Sequence, residues 1–352
     1  MEGRRVCIAA PAVLVKGRVA QGLGILTVVL EGLRLDPPVA LAPMAGITDR
    51  PFRQLVARFG AGWVVSEMVA SQEVVQGRPL ARARAELGFD DARTAVQLAG
   101  RAPYWMAEAA RMAEANGARI IDINMGCPAK KVTGGQSGSA LMREPDRALA
   151  LIEAVVGAVR VPVTLKMRLG WDEDSLNAAH LARRAEAVGV AMITVHGRTR
   201  CQFYKGRADW HAIGAVRAAV GIPVIANGDI TDEAGARAAL AASGAAGIMI
   251  GRGAQGRPWL PGRIAAAMGG TAPPEIPTGH AFYDMVAGHY EAILTFYGIP
   301  LGLRVARKHL GWYLDLSGAP APLRRPVLTA QSPGDVLRAL RAALSDAPGL
   351  AA

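Results

Sequence analysis

Eight short apolar runs recur between residues 39 and 250, and most of them are separated by one stretch with helical periodicity. The runs are uninterrupted rather than alternating, which indicates strands buried on both faces, as in a parallel sheet. Eight strand–helix units over about 210 residues predict a (β/α)8 TIM barrel, with a doubly wound sheet as the alternative. The predicted strands lie near residues 40, 64, 95, 121, 164, 193, 224 and 248.

The segments on either side of the predicted barrel, residues 36–268, differ from it in pattern. Residues 269–279 are rich in glycine and proline and are typical of a linker. Residues 280–352 carry helical patterns without strands, which predicts a small all-α C-terminal domain. Residues 1–35 are expected to be a loose extension, or the product of a start codon placed too early. No apolar run approaches the roughly 20 residues of a membrane span, so no membrane association is expected.

Basic residues exceed acidic ones by 40 to 29, which gives a formal net charge of +11. An excess of this size indicates a polyanionic partner, such as RNA, DNA or an anionic membrane. A GC-rich genome that encodes arginine in place of lysine is the alternative. Arg304, Arg307 and Lys308 are spaced to share one face of a predicted helix, which is either a basic binding surface or an ordinary solvated face.

The three cysteines, Cys7, Cys127 and Cys201, are odd in number and widely spaced. They form neither a disulfide framework nor a zinc-binding pattern, so a reducing cytoplasm is expected. Cys127 stands just past a predicted strand end, immediately before Pro128. It is either a reactive or proton-donating thiol, or a small buried cysteine before an ordinary turn.

The carboxyl ends of the barrel strands are predicted to meet at one mouth, where barrel enzymes place their chemistry. Polar residues and glycines concentrate there more than packing alone would require, which predicts a ligand site. The residues at or just after the strand ends are Pro43, Met44, Ala45, Glu67, Gln97, Asn124, Cys127, Lys166, His196, Arg198, Asn227, Gly228, Asp229, Gly251 and Arg252.

Two kinds of position at this mouth indicate an anionic ligand. Lys166 ends an apolar run, where a charge is costly unless it is paired, and an anionic ligand, Asp122 or Glu67 could pair it. The turns after the last two strands precede helices, and backbone N–H groups at such turns bind phosphate in many barrels. These turns do not distinguish a phosphorylated substrate from a bound flavin mononucleotide. No Walker loop, metal-ligand cluster or Ser-His-Asp order is evident, so no metal is predicted.

Several long motifs resemble those of the bacterial tRNA-dihydrouridine synthases, over residues 38 to about 315. They are Ala42-Pro-Met-Ala-Gly-Ile-Thr-Asp-Arg-Pro-Phe-Arg53, Asp122-Ile-Asn-Met-Gly-Cys-Pro-Ala-Lys-Lys-Val132, His196–Thr199, Asn227–Asp229 and Gly251–Arg252. The first two most resemble the B-type branch. The resemblance implies an FMN-binding barrel joined to a helical tRNA-binding domain. It also implies reduction of the C5=C6 bond of a D-loop uridine to 5,6-dihydrouridine, with NADPH, or NADH, as the electron donor.

The resemblance also implies roles for individual residues. Three residues would pack against the flavin: Pro43, Met44 and Ala45. Two would contact its ring edge: Gln97 and Lys166. Six would hold its ribityl chain and phosphate: His196, Asn227, Gly228, Asp229, Gly251 and Arg252. Cys127 would donate the proton that C5 of uracil needs after hydride arrives at C6, while Asn124 would contact the uracil and Arg198 the RNA.

Two other functions stay open at this point. One is an FMN barrel reductase that acts on a free pyrimidine, resembling the dihydroorotate dehydrogenases; the basic C-terminal domain argues against it. The other is a non-catalytic RNA-binding protein, against which the complete set of strand-end residues argues. The B-type similarity suggests position 17 of the tRNA, although the sequence does not fix which uridine is reduced. A cytoplasmic protein without an obligate protein partner is expected.

Overall fold

A computed structural model of the chain describes residues 17–22, 25–86 and 93–344. These described residues open with a three-stranded antiparallel sheet that the sequence analysis did not predict. In it, β1 (Gly17–Gly22) pairs with β2 (Ile25–Leu30), and β2 pairs with β3 (Leu33–Leu35). The structure therefore contradicts a loose extension for the described part of residues 17–35, and residues 1–16 lie outside the described residues.

This N-terminal sheet closes one end of the barrel. Val28, Leu30 and Leu35 are completely buried and belong to a cluster with the first residues of several barrel strands, among them Trp63 and Ile120. The backbone approach is close, since a Cβ at Gly17 would lie 1.9 Å from the carbonyl oxygen of Ala191. Burial of these apolar side chains over the strand starts is the physical reason that the segment is ordered.

Eight parallel strands form the closed barrel that the sequence predicts. Each strand pairs with the next one around the ring, and β12 pairs with β4 to close it. A short strand, β6 (Val69–Ala70), adds to the far end of β7. The eight barrel strands are β4 (Val39–Leu41), β5 (Trp63–Val65), β7 (Thr94–Ala99), β8 (Ile120–Met125), β9 (Val163–Arg168), β10 (Met192–His196), β11 (Val224–Asn227) and β12 (Gly247–Ile250).

Helices surround this ring, and several start where the sequence provides a proline or an aspartate cap. Asp49, Asp209 and Asp232 each accept a backbone N–H at the start of a helix. The helices are α1 (Arg50–Arg58), α2 (Ser71–Val75), α3 (Pro79–Ala85), α4 (Pro103–Ala115), α5 (Lys130–Thr133), α6 (Pro145–Val156), α7 (Ala178–Ala187), α8 (Trp210–Ala219), α9 (Glu233–Ser243) and α10 (Leu260–Gly269). Short 3-10 turns occupy Gly138–Arg143 and Arg252–Ala254.

Four helices follow residues 270–278, which contain neither helix nor strand. They have their own apolar core, which includes Phe282, Tyr290, Leu310 and Leu340. The third contains Pro326, a residue that is disfavoured inside a helix. The four helices are α11 (Gly279–Tyr297), α12 (Ile299–Leu316), α13 (Ala321–Thr329) and α14 (Pro333–Leu344).

The helical domain packs against the barrel through aromatic rings. Phe52 on α1 lies with its ring centroid 5.7 Å from that of His289 and 5.0 Å from that of His309. These histidines belong to α11 and α12, so both helices contact the start of the same barrel helix. Across the described residues, none of the helices has the length and apolar content needed to cross a membrane.

Candidate active site

A cavity of about 780 Å³ opens at the carboxyl ends of the barrel strands. Its volume is in the range of small-ligand and cofactor sites. Of the strand-end residues named from the sequence, Glu67 and Arg198 do not line it. The predicted residues that do line it are Pro43, Met44, Ala45, Gln97, Asn124, Cys127, Lys166, His196, Asn227, Gly228, Asp229, Gly251 and Arg252.

Asp122 lies below the cavity on β8 and does not line it. Its Oδ1 accepts the hydroxyl of Thr164 at 2.6 Å, and its Oδ2 accepts Nε2 of Gln97 at 2.7 Å. Burial raises the pKa of Asp122 to about 6, although both hydrogen bonds and the charge of Lys166 act in the opposite direction. The carboxyl group is therefore substantially ionised near neutral pH.

A hydrogen-bond chain continues from Gln97 to the turn that carries Cys127. Oε1 of Gln97 accepts Nδ2 of Asn124 at 2.7 Å. Oδ1 of Asn124 in turn accepts the backbone N–H groups of Gly126, at 3.2 Å, and Cys127, at 3.0 Å. After the cysteine, the carbonyl oxygen of Cys127 accepts two hydrogen bonds from Ser139, one from the backbone N–H at 3.1 Å and one from the side-chain hydroxyl at 2.8 Å. The half-buried, unbridged thiol thus sits on a backbone fixed from both sides.

Lys166 is a buried cation with few partners. Its Nζ donates to Oδ1 of Asn227 at 3.0 Å, and Nδ2 of Asn227 donates to the carbonyl of Met249 at 2.8 Å. Burial lowers the pKa of Lys166 to about 8, with help from the nearby charge of Arg168. Among the described residues, no carboxylate forms an ion pair with Lys166 within 4.0 Å. Since neither Asp122 nor Glu67 pairs it closely, the geometry favours a ligand that does.

The turn after β11 requires a glycine. Gly228 has φ of +120°, and a Cβ there would lie 2.7 Å from Cβ of Ala208 and 2.9 Å from Cδ2 of His196. Its carbonyl oxygen accepts Nε1 of Trp210 at 2.9 Å. Asp229 follows with φ of +56°, in the left-handed region. The turn therefore has a fixed shape in which the backbone can approach a ligand closely.

Arg198 holds this turn rather than facing solvent. Its side chain is 2% exposed, and its guanidinium donates to both carboxylate oxygens of Asp229, at 2.9 and 2.5 Å. Two further N–H groups donate to the carbonyls of Lys205 at 3.0 Å and Gly206 at 2.7 Å, and Nη1 also lies 3.3 Å from Nε2 of His196. The side chain of Arg198 thus turns into the protein from its strand end, and its expected contact with RNA stays a prediction.

Asp229 consequently stays ionised. Burial alone would raise its pKa, but hydrogen bonds from Arg198 and the Ala208 backbone, with the charges of Arg198 and Arg252, lower the pKa of Asp229 below its usual value. Arg252 contacts the same carboxylate only at 3.3 Å, and its side chain is 54% exposed. Because Arg198 neutralises the aspartate, Arg252 stays available to bind an anion at the cavity.

The family model described as dihydrouridine synthase (Dus) matches residues 40–347 of the chain. The chain belongs to the dihydrouridine synthase family. Members of this family are oxidoreductases, and the family predicted from the sequence motifs is confirmed.

Curated relatives agree with this membership. The chain is 65% identical over 322 residues, 91% of its length and 99% of the relative's, to a probable tRNA-dihydrouridine synthase of Rhodobacter capsulatus. It is 54% identical to a probable tRNA-dihydrouridine synthase of Rhizobium leguminosarum, covering 87% of this chain and 95% of that one. It is 48% identical to tRNA-dihydrouridine synthase B of Xanthomonas campestris, covering 85% and 90% respectively.

A solved structure, histamine dehydrogenase from Rhizobium sp. 4-9, superposes with a TM-score of 0.50 at 13% identity. The match covers 74% of this chain, which spans about half of that protein, 49% of its length. At this identity the likeness concerns the fold alone, and it agrees with the barrel described above.

The sequence analysis missed a buried arginine that lines the cavity. Arg168 ends β9, and its guanidinium donates to the carbonyls of Gly126 at 2.8 Å, Thr199 at 2.9 Å and Phe203 at 2.9 Å. It thereby joins the turn before the cysteine to the loop after β10. The period of two between Lys166 and Arg168, which places both on the same face of the strand, could have revealed it.

Two aromatic residues on that loop were also missed. Phe203 and Tyr204 line the cavity and are 40% and 47% exposed. The guanidinium carbons of Arg252 and Arg168 lie 4.9 and 5.7 Å from the centre of the Tyr204 ring. An exposed ring between two cations at the rim offers a surface on which a planar group could stack.

The basic face of α12 meets the cavity mouth. Arg304 and Lys308 are exposed, and Arg307 is half-buried. Nζ of Lys308 would lie 3.5 Å from a Cβ placed at Gly46, in the loop that carries Met44 and Ala45. The basic surface of the helical domain is therefore continuous with the mouth of the barrel. Among the described residues, no group of three or more His, Cys, Asp or Glu side chains could hold a metal ion.

Proposed function

We propose that this protein is an FMN-dependent tRNA-dihydrouridine synthase that reduces the C5=C6 bond of a D-loop uridine with electrons from NADPH or NADH. The observation that carries this is the shared cavity, which combines a half-buried thiol with a buried lysine that has no close acidic partner among the described residues. Two turns suited to phosphate flank the same cavity. The relatives' names support tRNA as the substrate.

The donor set of the cavity fits a flavin mononucleotide. The Gly228–Asp229 turn and the Gly251–Arg252 segment offer backbone N–H groups and one exposed guanidinium, which suit a single phosphate. Burial and four surrounding cations, Lys166 first, hold the pKa of His196 well below its usual value. His196 would therefore act as a neutral hydrogen-bonding group toward the ribityl chain. FAD would need room for an adenylate, and no motif of this chain provides it.

When bound, FMN would supply the hydride for C6 of the uracil. Lys166 would stabilise negative charge at the edge of the flavin ring, where its ammonium has only one hydrogen bond in the described structure. Gln97, whose amide still has one unused N–H, would contact the same edge. Pro43, Met44 and Ala45 would pack against the ring from the β4 side of the cavity.

Cys127 would hold the proton that C5 of the uracil receives. Its thiol S–H would donate that proton, and a positioned acid of this kind contributes about 10²–10⁴ in rate. Asn124 lines the cavity beside it and would contact the uracil. The base must leave its stack to reach this depth, and Phe203 and Tyr204 at the rim would offer it an aromatic surface.

The helical domain would supply the contacts to tRNA phosphates. Its basic α12 face adjoins the mouth, and phosphate contacts hold an RNA in register without reading its sequence. We accordingly assign residues 36–268 to the catalytic barrel, 269–279 to the linker and 280–352 to tRNA binding. The resemblance of the motifs to the B-type branch suggests position 17 as the reduced uridine, and we expect the protein in the cytoplasm.

The direct test is to map dihydrouridine in tRNA from a strain that lacks this gene, with and without the gene restored. We expect one D-loop position to lose the modification and to regain it. The purified protein should be yellow and release FMN rather than FAD. Turnover of free uracil or dihydroorotate with no action on tRNA would contradict the proposal, as would a protein that cannot be loaded with flavin.

A further inference from the structure

We propose that Asp122 is a positioning residue for Cys127, which it orients through the side-chain amides of Gln97 and Asn124. The inference rests on the proposed role of Cys127 as proton donor. Asp122 is buried and lies outside the cavity lining, so it contacts no ligand there and acts only through its neighbours.

Asp122 determines the orientation of two side-chain amide groups, those of Gln97 and Asn124. A side-chain amide has nearly the same shape when its oxygen and nitrogen exchange places, so only its partners decide the orientation. An ionised carboxylate accepts hydrogen bonds and donates none. Oδ2 of Asp122 therefore requires the NH2 group of Gln97, which turns the oxygen of Gln97 toward Asn124.

The orientation of Gln97 in turn determines that of Asn124, which contacts the turn that carries Cys127. Because Gln97 presents an oxygen, Asn124 must present its NH2 group to it, and its own oxygen then faces the N–H groups of Gly126 and Cys127. The opposite orientation of Asn124 would place its NH2 group against two backbone donors. The turn that sets the position of the thiol is thus stable only with the orientation that Asp122 imposes.

Thr164 provides the contrast within the same cluster. Its hydroxyl donates to the other oxygen of Asp122 at 2.6 Å, but a hydroxyl can both donate and accept. The Thr164 hydroxyl can therefore hydrogen-bond to either a donor or an acceptor at position 122. It does not determine how the amides of Gln97 and Asn124 are oriented. Thr164 shares the burial of Asp122 without its directing role, which makes it the matched control.

The test measures amide hydrogen exchange at Gly126 and Cys127 in the purified full-length protein. In Asp122→Leu, both amides should exchange at least about tenfold faster than in the wild type, because Asn124 no longer holds them. Dihydrouridine formation by the prereduced enzyme should slow by about 10²-fold, the cost of a misplacement near 1 Å. Thr164→Val should change neither quantity by more than about twofold.

The conservative variant separates orientation from charge. Asp122→Asn removes the charge, but its oxygen can still face Gln97 while its NH2 group donates to the Thr164 hydroxyl. We expect exchange and activity close to those of the wild type. If Asp122→Asn loses as much as Asp122→Leu, the charge and not the orientation matters, and the proposal is overturned. Wild-type exchange in folded Asp122→Leu would overturn it equally.

If Asp122→Leu does not fold, Asp122→Asn combined with Thr164→Val takes its place. This pair keeps the size of both side chains, yet the NH2 group of the asparagine loses its acceptor, so its oxygen is no longer directed at Gln97. Faster exchange at Gly126 and Cys127 than in Asp122→Asn alone supports the proposal, and equal exchange overturns it. The exchange readout needs neither flavin nor tRNA, so it is separate from the proposed function, which a fully active Cys127→Ala enzyme would contradict.

Discussion

The two ends of the barrel bury different kinds of side chain. At the strand starts, the N-terminal sheet covers the ring with apolar residues such as Val28, Leu30 and Leu35. At the strand ends, buried polar and charged groups such as Asp122, Lys166 and Arg168 are held by specific hydrogen bonds. One end is thus built for stability, and the other retains charges that cost stability unless they are paired or have a ligand.

The largest expected effect concerns the strand-end side. In Cys127→Ala, the reoxidation of reduced flavin by tRNA should slow by about 10²–10⁴-fold, the usual loss for a general acid. Reduction of the flavin by NADPH should be normal, because that half-reaction needs no acid at the uracil. Stopped-flow absorbance of the flavin separates the two steps.

Cys201→Ala is the control for this experiment, because Cys201 is exposed and does not line the cavity. It should behave as the wild type in both half-reactions. Dihydrouridine formation at the wild-type rate by Cys127→Ala would show that Cys127 is structural and would remove the proposed proton donor. A serine at position 127 should restore little, since an alcohol is a far weaker acid than a thiol.

The strand-start side should respond in the opposite way. Leu35→Ala should lower the free energy of unfolding by about 2–5 kcal/mol, because it opens a cavity under a completely buried side chain. The flavin half-reactions of the folded variant should stay within about twofold of the wild type. Urea denaturation and stopped-flow kinetics test the two parts.

Val19→Ala on the same sheet is the matched control, because Val19 is 37% exposed. It should change stability by no more than about 0.5 kcal/mol. If Leu35→Ala left stability unchanged but slowed catalysis, the division between a stabilising end and a reacting end would not hold.

Charge reversal on the basic face of α12 should have a smaller effect. Replacing Arg304, Arg307 and Lys308 with glutamate should weaken tRNA binding about tenfold or more and reduce the salt slope of binding by about 2 to 3. Flavin reduction by NADPH should be unchanged, because these residues lie outside the cavity lining. Filter binding at several salt concentrations gives both quantities.

Three exposed arginines on the barrel flank, Arg111, Arg119 and Arg183, serve as the control for net charge. Their reversal to glutamate changes the total charge equally but should affect tRNA binding much less. Equal losses in both variants would mean that only overall charge matters, and that the α12 face is an ordinary solvated surface.

The sequence predicted the barrel because uninterrupted apolar runs are a strong signal of parallel strands. It missed the N-terminal sheet, although Val28 and Leu30, then Leu33 and Leu35, are spaced by two on either side of a Glu31–Gly32 turn. That alternation is short and follows an apolar stretch without periodicity, so the strand signal was weak.

The strand-end part of the cavity lining followed from the sequence, because the barrel brings those ends together whatever the loops do. The part that the loop after β10 contributes, Phe203 and Tyr204, did not. Side-chain direction did not follow, as Arg198 demonstrates by turning inward onto Asp229. The orientation of Gln97 and Asn124 could not be read from sequence either. It depends on which atoms of neighbouring strands face each other, and β7, β8 and β9 acquire that register only on folding.

The smallest expected effect is a pH dependence at the contact between barrel and helical domain. Burial lowers the pKa of His309 to about 3, and Lys308 adds to the shift. The unfolded chain, with a histidine pKa near 6.5, binds the proton more readily than the folded one. The contribution of His309 is therefore fully present above about pH 6.5 and is lost as pH falls toward 3, at roughly 1 kcal/mol per pH unit.

The measurement compares the urea stability of the wild type and of His309→Phe at pH 7.5 and pH 5.5. Asp49 and Asp122, whose pKa values burial raises to about 7 and about 6, act in the opposite direction, because folding with the protonated form is favoured at low pH. The difference between the two proteins cancels these contributions, so acidification should destabilise the wild type more than the variant. Leu35→Ala should lose the same free energy of unfolding at both pH values. The buried side chains of β2 and β3 that pack on the strand starts are apolar except for Thr27, and none of them titrates. A pH-independent difference for His309→Phe would mean that the histidine is already solvated when it charges, and that this contact opens without unfolding.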